Sequence, residues 1–296
     1  MMWIRFSRRP ALKIVSETMT RIEPASGIAK RFQKPLIMGI LNCTPDSFHE
    51  ASRSETKESA IERALRLVEE GADILDVGGQ STRPQSVAVS YETERARVIP
   101  VIAALSKQVK VRLSIDTDKA AIAQEALDSG ATIINDVSAM RADQGMLKVA
   151  LRAKQIVLMH MLGNPGTMQV NPSYKDCFAE VSGFLQERLN FFINAGGRQD
   201  QVVIDPGIGF GKTLDHNLEL IRRTPELSAI APVLLGVSRK SMFSKISPDK
   251  GSQDRLAGSL AVASWAALNG VKILRVHDVL ETKRAMDVLM AIGHKA

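Results

Sequence analysis

Eight short apolar runs, many of them β-branched, recur between residues 36 and 276, each followed by a longer stretch with helical periodicity. This alternation constrains the fold more than any single motif does. Strands joined by helical crossovers run parallel, and a parallel sheet must be covered on both faces. The strand candidates are 36–41, 73–77, 111–115, 132–135, 156–160, 201–205, 233–237 and 272–276. The helix candidates lie near 55–70, 92–107, 118–129, 144–153, 174–195, 215–223, 254–269 and 281–292. Ile61, Leu65 and Val68 recur at helical spacing, and Gly71 stops that helix as Gly130 and Gly270 stop two others. The run Val233-Leu-Leu-Gly-Val237 has no polar side chain, as expected of a strand buried on both faces. Eight such units in roughly 260 residues match an α/β fold of one (β/α)8 barrel, the TIM barrel, in count and size. An open doubly wound sheet is the architectural alternative, but no linker or shift in composition divides the units into two domains.

Charge separates the chain into two parts. The net charge is +7, yet residues 1–34 hold eight Lys and Arg against Glu17 and Glu23, and the remaining residues are almost balanced. The reading is a basic N-terminal extension, 1–34, ahead of a nearly neutral barrel domain, 35–296. Such a distribution gives the folded body no nucleic-acid footprint. The extension lacks the apolar core of a secretory signal, and its acid-free first sixteen residues resemble a transit peptide only weakly. It reads as an appendage, or as an over-long start with Met19 the initiator. No apolar run approaches the ~20 residues that span a bilayer. Cys43 and Cys177 have no ligand or disulfide spacing and read as small apolar fillers, which fits a reduced, cytoplasmic protein.

In a parallel barrel the loops after the strands form the functional face. The residues at those ends are Asn42, Asp76 to Arg83, Asp116, Asn135-Asp136, His160, Asp205, Ser238 to Ser241, and Arg275 with His277. Any one of them has a bland role as a cap, and Asp118 and Asp136 read that way. All eight ends together make a ring of polar groups on an apolar barrel, which is a recognition site for a polar molecule. Asp116, Asn135 and Asp205 offer acceptors and one amide donor, suited to the N–H edge of a flat amino-substituted heterocycle. Lys240, Arg275, His277 and Arg83 suit phosphate or carboxylate groups. No cluster has zinc spacing. A Mg²⁺ brought in by a diphosphate could meet the protein through Asn42. Phe48 is a large aromatic in an otherwise polar loop after the first strand and needs something to cover.

The segment Gly207-Ile-Gly-Phe-Gly-Lys-Thr213 imitates a phosphate loop without being one. Pro206 stands where the Walker pattern needs its first glycine, and Lys212 where a dinucleotide fingerprint needs its third. Its glycines read instead as positions where backbone approaches a bound ring, with Phe210 against that ring.

Seven segments, in order, resemble the dihydropteroate synthase family. They are Ile40 to Phe48 (ILNCTPDSF), Asp76 to Pro84 (DVGGQSTRP), Ser114 to Thr117, Ile134 to Val137, Asp205 to Lys212, Gly236 to Ser241 (GVSRKS) and Arg275 to Asp278. The resemblance runs from about residue 35 to 290 and implies a TIM barrel, a homodimer, and a Mg²⁺-assisted reaction of folate synthesis. The partners it implies are 6-hydroxymethyl-7,8-dihydropterin diphosphate and 4-aminobenzoate, which yield 7,8-dihydropteroate and pyrophosphate by a dissociative route. By the same resemblance Asp116, Asn135, Asp205, Phe210 and Lys240 hold the pterin and Arg275 lies across it. Asn42, Thr82, Arg275 and His277 meet the diphosphate, with Asn42 on the metal. Phe48, Glu50, Arg83, Pro84 and Ser241 shape the aminobenzoate site and its lid loops. Asp116, Asp205, Lys240 and Arg275 carry the catalytic role.

The chain departs from the family pattern at His49-Glu50-Ala51-Ser52, where Ser-Asp-Gly-Gly is usual. It also departs at Gln80, usually Glu, and at Leu162, usually polar. His160 reads as a hydrogen-bonded structural histidine. Two other readings share the pterin-side residues: a non-catalytic pterin-binding paralogue, and a pterin-dependent methyltransferase barrel. The second has no need of Ser81-Thr-Arg-Pro84 or Ser238-Arg-Lys-Ser241.

Overall fold

The computed structural model describes residues 33–44, 53–81, 89–164, 166–247 and 255–293. Its strands are β1 (Leu36–Asn42), β2 (Ile74–Gly78), β3 (Arg112–Asp116), β4 (Ile133–Asp136), β5 (Gln155–Met159), β6 (Val202–Asp205), β7 (Leu234–Leu235) and β8 (Ile273–Val276). The helices are α1 (Arg53–Glu69), α2 (Tyr91–Gln108), α3 (Ala120–Asp128), α4 (Met146–Ala150), α5 (Cys177–Asn194), α6 (Leu214–Arg222), α7 (Thr224–Leu227), α8 (Met242–Ile246), α9 (Leu256–Leu268) and α10 (Val279–Gly293). All ladders are parallel, in the order β6-β5-β4-β3-β2-β1-β8-β7. A bridge between Ile204 and Val233, with the Ile204 N–H on Pro232 O at 2.9 Å, joins β6 to β7. The sheet thereby closes into the expected (β/α)8 barrel.

Alternation along each strand sorts the side chains. One row, including Ile37, Leu75, Ile115, Ile134, Leu158, Ile204, Leu235 and Leu274, belongs to the large core between sheet and helices. The other row points inside, where Met38, Ile74, Ile133, Val157, Val203, Leu234 and Ile273 form a separate apolar plug. Both faces are dry, which is why these strands read as continuous apolar runs.

Several expected boundaries shift for local reasons. The seventh strand keeps only Leu234–Leu235, because Val237 O accepts the Lys240 N–H (3.3 Å) across a turn in which Arg239 has φ 59°. Asp118 is not a helix cap: α3 begins at Ala120, whose N–H donates to Asp143 Oδ2 at 2.8 Å. Asp136 closes a turn and caps no helix, taking the Ser138 and Met140 N–H groups at 2.7 and 2.6 Å. The fifth major helix begins at Cys177, not near 174, because Asp176 caps it through the Ala179 N–H. The fourth contracts to Met146–Ala150, and α7 and α8 are short helices that the periodicity did not show. Among the described residues no helix is long and apolar enough to cross a membrane.

Candidate active site

The apolar plug fixes where the site lies. A step of two residues along a strand keeps the same face and climbs about 6.6 Å. From Met38, Ile74, Ile133, Val157, Val203, Leu234 and Ile273 that step reaches Ile40, Asp76, Asn135, Met159, Asp205, Gly236 and Arg275. On β3 the same row carries Ser114 and then Asp116. Ile40, Asp116, Asn135, Met159, Asp205, Gly236 and Arg275 all line one cavity on the C-terminal side of the plug. Val137, Ile208, Phe210, Ser238, Lys240 and His277 complete its wall. The strand-end residues predicted to bind a heterocycle thus converge on one concave, partly apolar space.

Asp76 is the residue that sequence reasoning left without a role. It is fully buried on β2, in register with Ile40 and Ser114. Its Oδ1 accepts from Ser114 Oγ at 2.5 Å, and its Oδ2 accepts from Asn135 Nδ2 at 3.0 Å and Arg275 Nε at 2.6 Å. An ionised carboxylate only accepts, so Asn135 must give Asp76 its NH₂. The second arm of Arg275, Nη2, reaches Asp116 Oδ2 at 2.6 Å. Burial opposes the Arg275 charge, but Asp76 and Asp116 outweigh it and raise its pKa further. Burial likewise raises the Asp116 and Asp205 carboxyls, against the nearby cations. It lowers Lys240 to about 8, opposed by Asp205. The site therefore concentrates ionisable groups in a poorly solvated place where their interactions are strong.

The glycine-rich segment after β6 forms one wall, with Gly207, Gly209 and Gly211 all at positive φ. Asp205 Oδ1 takes the Gly207 N–H at 2.7 Å. The carbonyls of Gly209, Phe210 and Gly211 accept from Gln169 Nε2, Lys212 Nζ and Tyr174 Oη. Phe210 is thereby held at the cavity, with Lys240 Nζ 4.3 Å from its ring centre. Lys212 is itself buried, 3.0 Å from His160 Nδ1, and burial lowers its pKa to about 7. Burial, then Lys212 and Arg141, lower His160 to about 3. A neutral, buried imidazole accepting from lysine fits the structural reading of His160. Leu162 lies against Gly211, where any added side chain would collide with it.

Other candidates fall at the rim or beyond the described residues. Asn42 sits at the tip of β1 on the inward row, and Ser241 is exposed at the start of α8, outside the cavity lining. Phe48, Glu50, Thr82, Arg83 and Pro84 lie outside the described residues, as do His49, Ala51 and Ser52. Gln80 is described: its Oε1 accepts from Lys119 Nζ at 2.9 Å and from the Val89 N–H at 3.2 Å. Lys119 also pairs with the buried Glu94 at 2.6 Å, so an anionic partner for that lysine persists without a glutamate at position 80. The apolar lining by Ile40, Val137, Met159 and Ile208 was also missed, since nothing distinguishes those side chains from core in the sequence.

Among the described residues no group of three or more His, Cys, Asp or Glu side chains could hold a metal ion. Asn42 offers a single hard oxygen at a strand tip. That donor set fits a Mg²⁺ arriving with phosphate oxygens and water, not one caged by protein.

Residues 38–277 match the family model described as pterin binding enzyme. The chain is 42% identical to the dihydropteroate synthase of Escherichia coli K12 over 268 residues, covering 90% of this chain and 95% of that one. A solved dihydropteroate synthase of Xanthomonas albilineans with 4-aminobenzoic acid superposes with TM-score 0.82 at 42% identity, over 89% of this chain and 95% of that one. A second structure of the Xanthomonas enzyme, in complex with 7,8-dihydropteroate, gives 0.80 at 40% identity over the same shares. Matched almost end to end by relatives of this identity, the chain belongs to the dihydropteroate synthase family of pterin-binding enzymes.

Proposed function

We propose that the protein condenses 6-hydroxymethyl-7,8-dihydropterin diphosphate with 4-aminobenzoate, forming 7,8-dihydropteroate and releasing pyrophosphate. The observation that carries this reading is the layer above the apolar plug. There Asp116, Asn135 and Asp205 face one cavity with Lys240, Arg275 and an aromatic wall at Phe210. The carboxylates and the Asn135 oxygen suit the N–H edge of the pterin, because one N–H of the Asn135 amide is held by Asp76. Arg275, spanning Asp76 and Asp116 across the pocket, is placed to lie over the ring. Toward the rim Arg275 and His277 meet the diphosphate, together with Asn42, and the family resemblance adds Thr82. A Mg²⁺ bound there through Asn42 would supply charge neutralisation to the phosphate oxygens.

In a dissociative route the methylene C–O bond breaks first and pyrophosphate leaves with the electron pair. Arg275 stabilises the departing charge, and the carboxylates of Asp116 and Asp205 stabilise the cation spread into the pterin. The amine of 4-aminobenzoate then forms the new C–N bond and releases its proton. Phe48, Glu50, Arg83, Pro84 and Ser241 serve that second substrate. None of these steps needs a covalent enzyme intermediate. A non-catalytic pterin-binding barrel would bind the pterin without turnover. Pyrophosphate release that depends on 4-aminobenzoate, measured with the purified protein, is therefore the deciding assay. Normal pterin binding with no release would refute the enzymatic reading. Lys240→Ala and Asp205→Ala should abolish pterin binding while leaving circular dichroism unchanged.

The surface supports a homodimer. α9 has no charged side chain, and Ala257, Ala261, Trp265 and Leu268 form an exposed stripe on it. α10, which packs beside it, exposes Val288 and Ile292. A helix apolar all round is ordinarily covered, and a second copy of the chain is the cover proposed here.

A further inference from the structure

His277 follows β8, two residues beyond Arg275, and lines the cavity. Its backbone N–H donates to Ser238 Oγ at 3.1 Å, and its own Nδ1 lies 3.1 Å from the same oxygen. Ser238 is buried. These contacts restrict where the protons can be. A backbone N–H can only donate, so it occupies one lone pair of Oγ. The hydroxyl has a single proton to give, and among the described residues Nδ1 is the acceptor recorded within its reach. Were Nδ1 protonated, it too would have to donate into Oγ, and the buried hydroxyl proton would be left without a partner.

We infer that Ser238 is a positioning residue that holds His277 as its Nε2–H tautomer, so that a neutral N–H donor faces the substrate cavity. The imidazole is kept uncharged by its surroundings. Burial, then Arg275 and Arg239, lower its pKa to about 4, with Asp278 opposing and Lys240 adding to the effect. The cationic work at this rim falls to Arg275. His277 contributes a directed hydrogen bond to a phosphate oxygen, which a lone pair at Nε2 could not make. This last step rests on the reading that the diphosphate lies beside His277.

Side-chain ¹⁵N spectra of the histidines test the assignment, with the His277 signals identified by their loss in His277→Gln. At pH 7.5 the wild type should show a protonated Nε2 and a bare Nδ1. An imidazolium, or a protonated Nδ1, would overturn the inference whether or not any variant folds. Ser238→Ala should move the signals toward a tautomer mixture. It should also raise the KM for the pterin diphosphate about fivefold, with the KM for 4-aminobenzoate unmoved. Ser238→Thr, which restores the hydroxyl, should reverse both effects. Tautomer signals unchanged in Ser238→Ala would sink the role given to the serine. Titration with Mg²⁺ and pyrophosphate separates the two readings. If pyrophosphate binds by calorimetry without disturbing the His277 nitrogens, the diphosphate placement fails while the tautomer result stands.

Discussion

Gly236 separates what the fold requires of a residue from what the proposed ligand would require. It follows β7 in line with the inward-facing Leu234, and a Cβ placed there would come no closer than 3.9 Å to Arg275 or Asp205. Packing therefore does not demand glycine, whereas the proposed pterin, filling that space, would. Gly236→Ala should keep or slightly raise stability, by about 0.5 kcal/mol, since it reduces the freedom of the unfolded chain. The added methyl should weaken pterin binding about tenfold or more. Thermal melts and calorimetric titration check the pair of outcomes; lost stability with intact affinity would contradict the argument. Asp76 poses the opposite case. Removing its carboxylate in Asp76→Ala leaves the Arg275 guanidinium paired on one side only and strands the Asn135 amide and the Ser114 hydroxyl. The expected cost is about 3–5 kcal/mol in urea unfolding, and Asp76→Asn should recover part of it. A loss below about 1 kcal/mol would show the cluster to be dispensable. Strand-end residues such as Asp116 and Asp205 were legible in the sequence because a polar group closes an apolar run. Asp76 was legible as a strand-end polar group but its role was not, because its partners come from three other strands.

At the scale of an element, the segment after β6 is a loop whose shape is set by its backbone. The sequence showed that its glycines do not form a nucleotide loop, and the structure shows what they allow. Gly207, at φ +69°, brings the chain so near β5 that an added Cβ would lie 1.9 Å from His160 O. Gly209, at φ +81°, has Lys240 Cδ as its nearest neighbour, 3.3 Å from a Cβ there, at the far end of a flexible chain. The two positions therefore predict an order. Gly209→Ala should cost about 1 kcal/mol from backbone strain, with some loss of pterin affinity through a displaced Lys240. Gly207→Ala adds a backbone collision and should cost at least about 2–3 kcal/mol, read from chemical denaturation. The reverse order would mean that the loop is free to relax away from His160. Element boundaries were the part least legible beforehand. β7 ends early because of a turn closed by Val237 and Lys240, and α3 starts late because Asp143 caps it from a distant loop. Neither partner is visible in a local window of sequence.

For the whole molecule, the count of eight alternating units was legible because a parallel barrel buries both faces of every strand, leaving short continuous apolar runs between helical stretches. The same physics makes α9 anomalous. The helices of such a barrel pack one face on the sheet and give the other to water, yet Leu256–Leu268 carries no charge on either face. Trp265 and Leu268 are each 47% exposed, and Val288 and Ile292 on the adjacent α10 are 59% and 75% exposed. Apolar area of this kind, unpaid for in a monomer, is recovered when two copies associate face to face, and a twofold dimer uses such a self-complementary patch twice. In the proposed dimer, each charge placed in the patch would act on both subunits. Trp265→Glu combined with Val288→Glu should convert a dimer into a monomer in sedimentation equilibrium. The barrel itself should hold, because neither side chain belongs to the buried core. Pterin affinity should survive, since neither Trp265 nor Val288 lines the cavity. A wild type that sediments as a monomer, or a double variant that remains a dimer, would place the contact on another face.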